Sequence, residues 1–325
     1  MTLQDIVNVL KRGEKTNPKI AQEIEKKLMR HAKIVVSTLN YCGSARMHLL
    51  KSCTEFIIID EACQSLEADL LLSLQFGCRK IMLVGDPQQL PPCVLSDAGK
   101  TYGLSQSLYG RLYSFFNKYP NSPITMLDTQ YRMHPDICRF PSEYFYDNQL
   151  LTDQSVEERM RHFTLKSLYV YDITNSQHQY DGARSIRDRD IRRRQLQPLL
   201  LNDPRSIKIQ QRIAIITPYK AQVRLLSSYI PPYIEVMTVD SSQGKEKDIV
   251  ILSCVRSGNT IGFLEDMNRL NVMLTRSKYA LYIFGNLTHL SNQHDSWKEL
   301  LEHVHGQRII SNVNVHNLEF ELPYR

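Results

Sequence analysis

Two adjacent carboxylates after an apolar run are the strongest local chemical signal in the sequence. Asp60 and Glu61 directly follow Phe56–Ile59, a run that is typical of a buried strand. In open α/β folds, ligands bind at the carboxyl ends of parallel strands. There, one carboxylate would hold Mg²⁺ and the other would deprotonate an attacking water. For this pair alone, a helix N-cap followed by a first-turn acid is an equally good reading.

A second polar segment follows the next apolar run, residues 80–84. Gly85 and Pro87 predict a tight turn at the same sheet edge, which would bring Asp86 and Gln89 towards the phosphates of a nucleotide. As a bare turn this segment carries little information. Two such polar strand ends in succession favour a nucleotide site.

Four further segments complete an ordered set of motifs: residues 130–135 (QYRMHP), 217–222 (TPYKAQ), 238–246 (TVDSSQGKE) and 269–278 (RLNVMLTRSK). Together with the two strand ends, the set resembles motifs Ic to VI of superfamily one helicases of the up-frameshift-like group. Residues 130–141 (QYRMHPDICRFP) and 261–264 (IGFL) are similar to senataxin-type helicases in particular. The resemblance runs from about residue 32 to about residue 301.

The resemblance implies two RecA-like domains with ATP in the cleft between them. Asp60 would be the Mg²⁺ ligand, Glu61 the catalytic base and Gln89 the γ-phosphate sensor. Arg132 and Arg276 would be arginine fingers, a role in which lysine is not equivalent because only the guanidinium is planar and multidentate. For either arginine alone, a surface ion pair is the alternative. The other implied nucleotide contacts are Tyr131 to adenine, the N–H of Gly244 to phosphate and Glu246 to ribose.

The resemblance also implies a track for single-stranded RNA or DNA, or for RNA–DNA hybrids. Hydroxyls and backbone amides suit phosphate contacts without base preference, and an aromatic ring can stack on a base. Tyr219 is the ring in this set, with a core tyrosine as the alternative reading. The implied contacts are Thr38, Thr217, Pro218, Tyr219, Thr238 and Asp240.

Two features depart from the family pattern. No Gly-x-x-x-x-Gly-Lys-Ser/Thr phosphate loop occurs in the 325 residues, and the tempting residues 98–101 (AGKT) do not match it. We therefore expect the C-terminal part of a longer helicase, inactive as an ATPase when isolated. The second feature is an Arg-rich run at residues 183–194, within a predicted mobile loop over 177–194. A divergent insertion and a mis-joined exon are both open explanations for it.

Apolar runs alternate with helical spacing along the chain. Runs at residues 33–38, 56–59, 80–84, 168–173, 212–217, 248–253 and 280–284 predict strands covered on both faces. The alternation predicts an α/β fold, which the resemblance narrows to a RecA-like P-loop NTPase fold with parallel sheets. We expect a helical segment over residues 1–31, a partial first domain over 32–123, a second domain over 124–310 and a tail over 311–325.

The amino-acid composition limits the classes of protein to which the chain can belong. The chain is 42% hydrophobic and 23% charged, which excludes a disordered tail, a collagen-like fibre or a disulfide miniprotein. Its seven cysteines form no CxxC pair and its ten histidines no HExxH motif, so carboxylates are the candidate metal ligands. Of the net charge of +6, residues 1–33 and 184–194 each carry +4, which fits a polyanionic partner and a solvated face equally well.

The expected function is that of the C-terminal part of an ATP-dependent RNA/DNA helicase, with ATP and Mg²⁺ as cofactors. The family implies R-loop resolution, transcription termination, partners in transcription or RNA processing, and a nuclear location, with the cytoplasm as a second location left open. Two alternatives stay open: a catalytically inactive nucleic-acid-binding fragment, and an RNA-decay helicase of the up-frameshift type. The missing phosphate loop favours the first alternative for the isolated chain.

Overall fold

The chain divides into two compact units. In the computed structural model, the first comprises Met1–Pro87 and Pro91–Ile124, and the second comprises Gln88–Leu90 and Thr125–Arg325. The structure describes residues 18–51, 53–161, 163–174, 178–180, 186–188, 212–258 and 260–313. Each unit has its own hydrophobic clusters and is described by itself.

The first unit contains two parallel strands, β1 (Phe56–Ile59) and β2 (Lys80–Leu83). Three of its helices begin where a serine or threonine side chain accepts a backbone N–H group, and the capping residues are Thr38, Ser96 and Ser107. Its helices are α1 (Pro18–His31), α2 (Leu39–Cys42), α3 (Glu67–Leu74), α4 (Asp97–Thr101) and α5 (Leu108–Phe116), with 3-10 turns at Ala45–Leu50 and Ala62–Gln64.

The predicted strand over residues 33–38 is wrong. This segment pairs with no strand of the described chain, and Ile34 and Val36 are 83% and 92% exposed. A strand needs a neighbour for its N–H and C=O groups, so apolar sequence alone does not produce one. The outer residues Ile58 of β1 and Met82 of β2 are exposed as well, although the sequence predicts that both faces are covered.

The second unit contains a six-stranded sheet in which every neighbouring pair is parallel, in the order β12–β5–β11–β10–β8–β9. These strands are β5 (Leu168–Ile173), β8 (Ile213–Thr217), β9 (Glu235–Thr238), β10 (Lys247–Ser253), β11 (Ser277–Gly285) and β12 (Ile310–Val313). Two shorter pairs accompany them: β3 (Thr129–Gln130) with β4 (Leu151–Thr152), and β6 (His178–Tyr180) with β7 (Ile186–Asp188).

Both faces of this sheet are covered. Neighbouring residues on a strand point to opposite faces, and accordingly Ile216 and Val170 join one core cluster whereas Ile215 and Tyr171 join the other. Trp297 is fully buried in the first of these clusters. The helices are α6 (Pro135–Phe145), α7 (Gln154–Met160), α8 (Lys220–Ser227), α9 (Val239–Ser242), α10 (Met267–Leu274), α11 (Leu287–Ser291) and α12 (Asp295–Gly306), with a 3-10 turn at Gly262–Glu265.

The α/β class and the parallel sheets are confirmed, but three local predictions need correction. β12 extends the second unit to Val313, past the start of the predicted tail at residue 311. The predicted loop over 177–194 contains the antiparallel pair β6 and β7, and its other residues lie outside the described chain. Leu90 packs in the core of the second unit, so residues 88–90 leave the predicted first domain. Within the described ranges, no helix is long and apolar enough to cross a membrane.

Candidate nucleotide and nucleic-acid site

Asp60 and Glu61 lie exposed at the carboxyl end of β1, where the sequence predicts them. The carboxylate of Asp60 accepts the Glu61 backbone N–H at 3.0 Å, and Gln64 Nε2 donates to Glu61 Oε2 at 2.6 Å. Glu61 has a φ of +52°, a left-handed conformation that is uncommon for a residue with a β-carbon. The described contacts of the two carboxylates are thus local ones, made within a single turn.

The turn after β2 lies against the turn after β1. A β-carbon at Gly85 would meet the backbone N and the Sγ of Cys63, each at 3.0 Å, so a larger residue would require the turn at Cys63 to shift. Burial, with smaller contributions from Asp86 and Glu61, raises the pKa of the Cys63 thiol to about 12. The second strand end therefore adds the negative charge of Asp86 near that of Glu61, as the sequence predicts.

Exposed carboxylates at a strand end suit Mg²⁺, which binds proteins through one or two carboxylates and keeps its other positions for water and phosphate oxygens. Asp60 fits this requirement because its side chain is exposed and its described contact is an amide N–H. No group of three or more His, Cys, Asp or Glu side chains that could enclose a metal occurs in the described part of the chain.

In the second unit, the guanidinium of Arg276 lies buried beside the side chain of Gln89. Arg276 Nη2 donates to Gln89 Oε1 at 3.3 Å and to Thr275 Oγ1 at 2.9 Å, while its Nε donates to Val272 O at 3.1 Å. The backbone of the Gln89 segment is held as well, because Asn271 Nδ2 donates to Gln88 O at 3.0 Å. The predicted phosphate sensor and one predicted arginine finger are thus in direct contact.

Arg132 approaches the same place from the segment before α6. Its Nη1 donates to Thr275 O at 3.2 Å and its Nε to Glu246 Oε2 at 3.0 Å. Gln130 Oε1 accepts the backbone N–H of Arg132, and Arg159 Nη2 donates to the carbonyl of Arg132 at 2.8 Å. The sequence assigns no role in the nucleotide site to Thr275. In the structure, however, Thr275 accepts hydrogen bonds from both candidate arginine fingers.

Glu246, the predicted ribose contact, is engaged by two cations. Lys278 Nζ and Arg132 Nε bind its two carboxylate oxygens, and hydrogen bonds from Lys278 first and Arg132 second lower the pKa of Glu246. Tyr131, the predicted adenine contact, is exposed and therefore open to a ligand. Gly244 has a φ of +71°, and a β-carbon there would meet open space. The left-handed backbone conformation, and not a lack of space, therefore favours glycine at this position.

Four of the six predicted nucleic-acid contacts are accessible. Thr38 is exposed and caps α2, and Thr238 caps α9 through a reciprocal capping box with Ser241. Asp240 is exposed and accepts from Arg269 Nε at 3.0 Å, and Pro218 is half-buried. A side chain that serves as a helix cap can still offer its oxygen or a neighbouring backbone N–H to phosphate, so these positions stay candidates.

The other two predicted contacts need correction. Thr217 is fully buried, and its hydroxyl finds no hydrogen-bond partner among the described residues. Tyr219 is only 3% exposed, its hydroxyl donates to Ile261 O at 3.2 Å, and burial raises its pKa. Thr217 ends β8, an interior strand of the sheet whose residues are buried, and the Tyr219 hydroxyl lies against Ile261 of the 261–264 segment. Neither side chain can contact nucleic acid in this conformation, and for Tyr219 the core reading is the one observed.

An exposed ring that the sequence analysis did not assign lies next to Tyr219. Phe263 is 49% exposed, and its ring centroid lies 5.7 Å from that of Tyr219. In the sequence, residues 261–264 carry only a resemblance to senataxin-type helicases and no assigned role. The sequence signal for an exposed ring is Phe263 itself, which lies in a short turn between Ile261 and Leu264 with polar residues on both sides; both of these neighbours are buried in the structure.

Two family models, both described as an AAA domain, match residues 2–97 and 104–288 of the chain. A probable helicase of Dictyostelium discoideum is 35% identical over 96% of this chain, and the human probable helicase senataxin is 38% identical over 76%. The chain spans 33% of the first relative and 10% of the second. An arterivirus nonstructural protein 10 helicase, solved in complex with DNA, is 18% identical over 74% of this chain and 41% of its own, with a TM-score of 0.39. The predicted resemblance to senataxin-type helicases is confirmed by the sequence identities.

Proposed function

Because the chain belongs to the AAA-domain family, we propose that it forms the phosphate-sensing and nucleic-acid-binding part of an ATP-dependent helicase. The chain spans a third or less of the two relatives described above, so helicase activity would belong to a longer protein of which this sequence is a part. R-loop resolution, transcription termination and a nuclear location are proposed with it, on the strength of the similarity to senataxin.

The observation that carries the proposal is the meeting of two guanidinium groups at Thr275. Arg132 binds the main-chain carbonyl of Thr275 and Arg276 binds its hydroxyl, while Arg276 also binds Gln89. The acceptors on Thr275 and Gln89 are neutral and orient both guanidinium groups without cancelling their charge, whereas Glu246 pairs with Arg132 in addition. Fixed, preorganised cations of this kind stabilise the charge that develops on a transferring phosphoryl group.

Each candidate nucleotide contact has a distinct role in the proposal. Asp60 would hold Mg²⁺ and Glu61 would orient and deprotonate the attacking water, while Gln89 would report the presence of the γ-phosphate. Bound Mg²⁺ would supply neutralisation of phosphate charge. Tyr131 would stack on adenine, and Gly244 and Glu246 would contact phosphate and ribose. Glu246 would have to share its oxygens between the ribose and the two cations that hold it here.

The nucleic-acid track would use Thr38, Pro218, Thr238 and Asp240. Contacts from hydroxyls and backbone amides carry little sequence information, so binding to single-stranded RNA or DNA should be nearly independent of sequence. The same track would serve RNA–DNA hybrids and, through other surfaces, partners in transcription or RNA processing. Binding without hydrolysis is the second candidate function, because the 325 residues contain no phosphate-loop pattern.

The test is ATP hydrolysis in the presence of single-stranded RNA, measured for the chain alone and for the chain joined to an upstream segment of a relative that carries a phosphate loop. We expect negligible hydrolysis by the chain alone and RNA-stimulated hydrolysis by the joined protein. Glu61→Gln should abolish hydrolysis in the joined protein without reducing RNA binding. Glu157→Gln, a change at an exposed glutamate on α7, is the matched control and should leave hydrolysis intact.

Two results would overturn the proposal. The joined protein could bind RNA but hydrolyse ATP as fast with the Glu61→Gln change as without it, which would remove the catalytic role of the strand-end carboxylates. Arg276→Lys could leave hydrolysis unchanged, which would show that the guanidinium contacts at Thr275 serve packing alone. Hydrolysis by the chain alone that is lost in Glu61→Gln would instead show that the phosphate-loop pattern is dispensable here.

A further inference from the structure

Phe263 is the centre of a cluster of aromatic and guanidinium groups on the surface of the second unit. We call Tyr219, Arg256, Phe263 and Arg269 the Phe263 platform. The guanidinium carbon of Arg269 lies 4.8 Å from the centroid of the Phe263 ring, and the Tyr219 ring lies beside it at 42°. Even with these neighbours, 49% of the Phe263 surface is exposed. The platform therefore combines an open aromatic ring with planar cations.

Buried neighbouring residues fix the turn that carries the Phe263 ring. Phe263 belongs to the 3-10 turn Gly262–Glu265, and its neighbours Ile261 and Leu264 are each only 1% exposed. Trp297, fully buried, donates its Nε1–H to the carbonyl of Leu264 at 2.8 Å. Because buried anchors hold this turn on both sides of Phe263, the ring is held outward by a folded segment.

Arg256 supplies a cation whose position is set by an unusual backbone turn. Its N–H donates to Cys254 O at 2.6 Å across Val255, whose φ is +59°. A β-branched residue in this region is a strained outlier, and such strain often accompanies a functional position. The turn places Arg256 Nε 2.9 Å from the Tyr219 hydroxyl, with the guanidinium over the Tyr219 ring at 5.3 Å.

The two arginines of the platform differ in charge balance. Arg269 forms ion pairs with both Asp240 and Asp266, so its charge is compensated. Arg256 makes no ion pair with a carboxylate in the described chain, and its contacts are the hydroxyl and ring of Tyr219. A half-buried guanidinium without a carboxylate is suited to bind a phosphate. The Asp240 contact of Arg269 also joins the platform to the candidate nucleic-acid track.

We propose that Phe263 stacks on a base of single-stranded nucleic acid while Arg256 contacts a neighbouring phosphate. Aromatic rings and guanidinium planes are the surfaces on which unpaired bases stack, and stacking tolerates any base. The inference rests on the proposed nucleic-acid binding and replaces Tyr219, which is buried, as the stacking ring. Buried Tyr219 instead acts as a positioning residue that holds Arg256 and the Phe263 turn.

The test compares two ligands by fluorescence anisotropy with the full chain. One is a short unstructured RNA and the other is an abasic ribose-phosphate oligomer of the same length. Phe263→Ala should weaken binding to the RNA by about 5- to 150-fold, the range expected for one lost stacked base, and leave binding to the abasic oligomer unchanged. Phe263→Trp should restore RNA binding. Phe115→Ala, at a 53% exposed phenylalanine of the first unit, is the matched control and should have no effect.

The phosphate contact is tested with Arg256→Gln across a salt series. This change should weaken binding to both ligands and reduce the slope of log affinity against log salt by about 0.7, the value for one phosphate contact on a single strand. Three results would overturn the stacking site alone. The Phe263→Ala variant could bind RNA as tightly as the wild type, lose affinity for both ligands equally, or lose affinity for ATP instead of RNA. A wild-type chain that binds neither ligand overturns the proposed nucleic-acid function as well.

Discussion

Gly262 gives the most direct test of how the Phe263 turn is held. Its φ is +56°, and a β-carbon there would lie 2.8 Å from Arg256 Nη2 and 3.2 Å from the Tyr219 hydroxyl. Gly244, in the same unit, has a φ of +71° but open space at the same position. Gly262→Ala and Gly244→Ala therefore impose a similar backbone penalty and differ in the side-chain clash.

The magnitudes follow from these two contributions. A left-handed conformation costs an L-residue roughly 1–2 kcal/mol, and alanine offsets part of this by reducing the entropy of the unfolded chain, which leaves about 1 kcal/mol for Gly244→Ala. In Gly262→Ala the guanidinium of Arg256 must move away, which breaks its 2.9 Å hydrogen bond to Tyr219. Loss of that partly buried bond adds about 1 kcal/mol, so the free energy of unfolding should fall by about 2 kcal/mol.

The assay is urea unfolding followed by the fluorescence of Trp297, the single tryptophan of the chain, which is fully buried in the second unit. With an m-value of about 2 kcal/mol per molar urea, the unfolding midpoint should fall by about 1 M for Gly262→Ala and by about 0.5 M for Gly244→Ala. Equal shifts for the two variants would refute the reasoning, because they would show that Arg256 and Tyr219 do not constrain the turn.

Three other perturbations have defined outcomes. Thr217→Val should keep or raise stability in urea and leave RNA affinity unchanged, since the buried Thr217 hydroxyl has no described partner; weaker RNA binding would contradict its burial. Asp172→Ala should lower the free energy of unfolding in urea by about 2–4 kcal/mol, because buried Asp172 accepts the N–H of Leu287 at 2.7 Å and contacts Thr288. A decrease of less than about 1 kcal/mol would contradict this prediction. Alkylation at pH 8, measured by peptide mass spectrometry, should label the exposed Cys53 and Cys93 but not Cys63. Because the pKa of Cys63 is raised to about 12, only about one Cys63 side chain in 10,000 is a thiolate at pH 8. Labelling of Cys63 at the rate of Cys53 would contradict the burial of Cys63.

The sequence predicts the second unit better than the first. Four of its runs, at residues 168–173, 212–217, 248–253 and 280–284, become strands of the six-stranded sheet with ends shifted by three residues at most. Residues 235–238 and 310–313 were missed because Glu235 and Asn312 interrupt the apolar pattern at the edges of that sheet. Edge strands face neighbours on one side only, so their sequences need not be continuously apolar.

The site shows the same division between local and tertiary information. The positions of Asp60 and Glu61 after β1 could be predicted because they depend on one strand and its end. The contact of Arg276 with Gln89 could be expected only from the family resemblance, since 187 positions separate the two residues. The burial of Tyr219 could not be predicted, because it depends on the 261–264 segment that covers it. Spacing alone carries no information on which of two rings, Tyr219 or Phe263, reaches the surface.

Backbone strain connects the two strand ends to which function is assigned. Among the described residues, five other than glycine have a positive φ. Two of these are Asp147 and Asn148, residue types that tolerate the left-handed region, and a third, Arg308, follows the end of α12. Glu61 and Val255 remain, and each lies two positions after a parallel strand, β1 or β10. At both positions a charged residue, Glu61 itself or the adjacent Arg256, lies just after the strand end, where α/β folds bind their ligands.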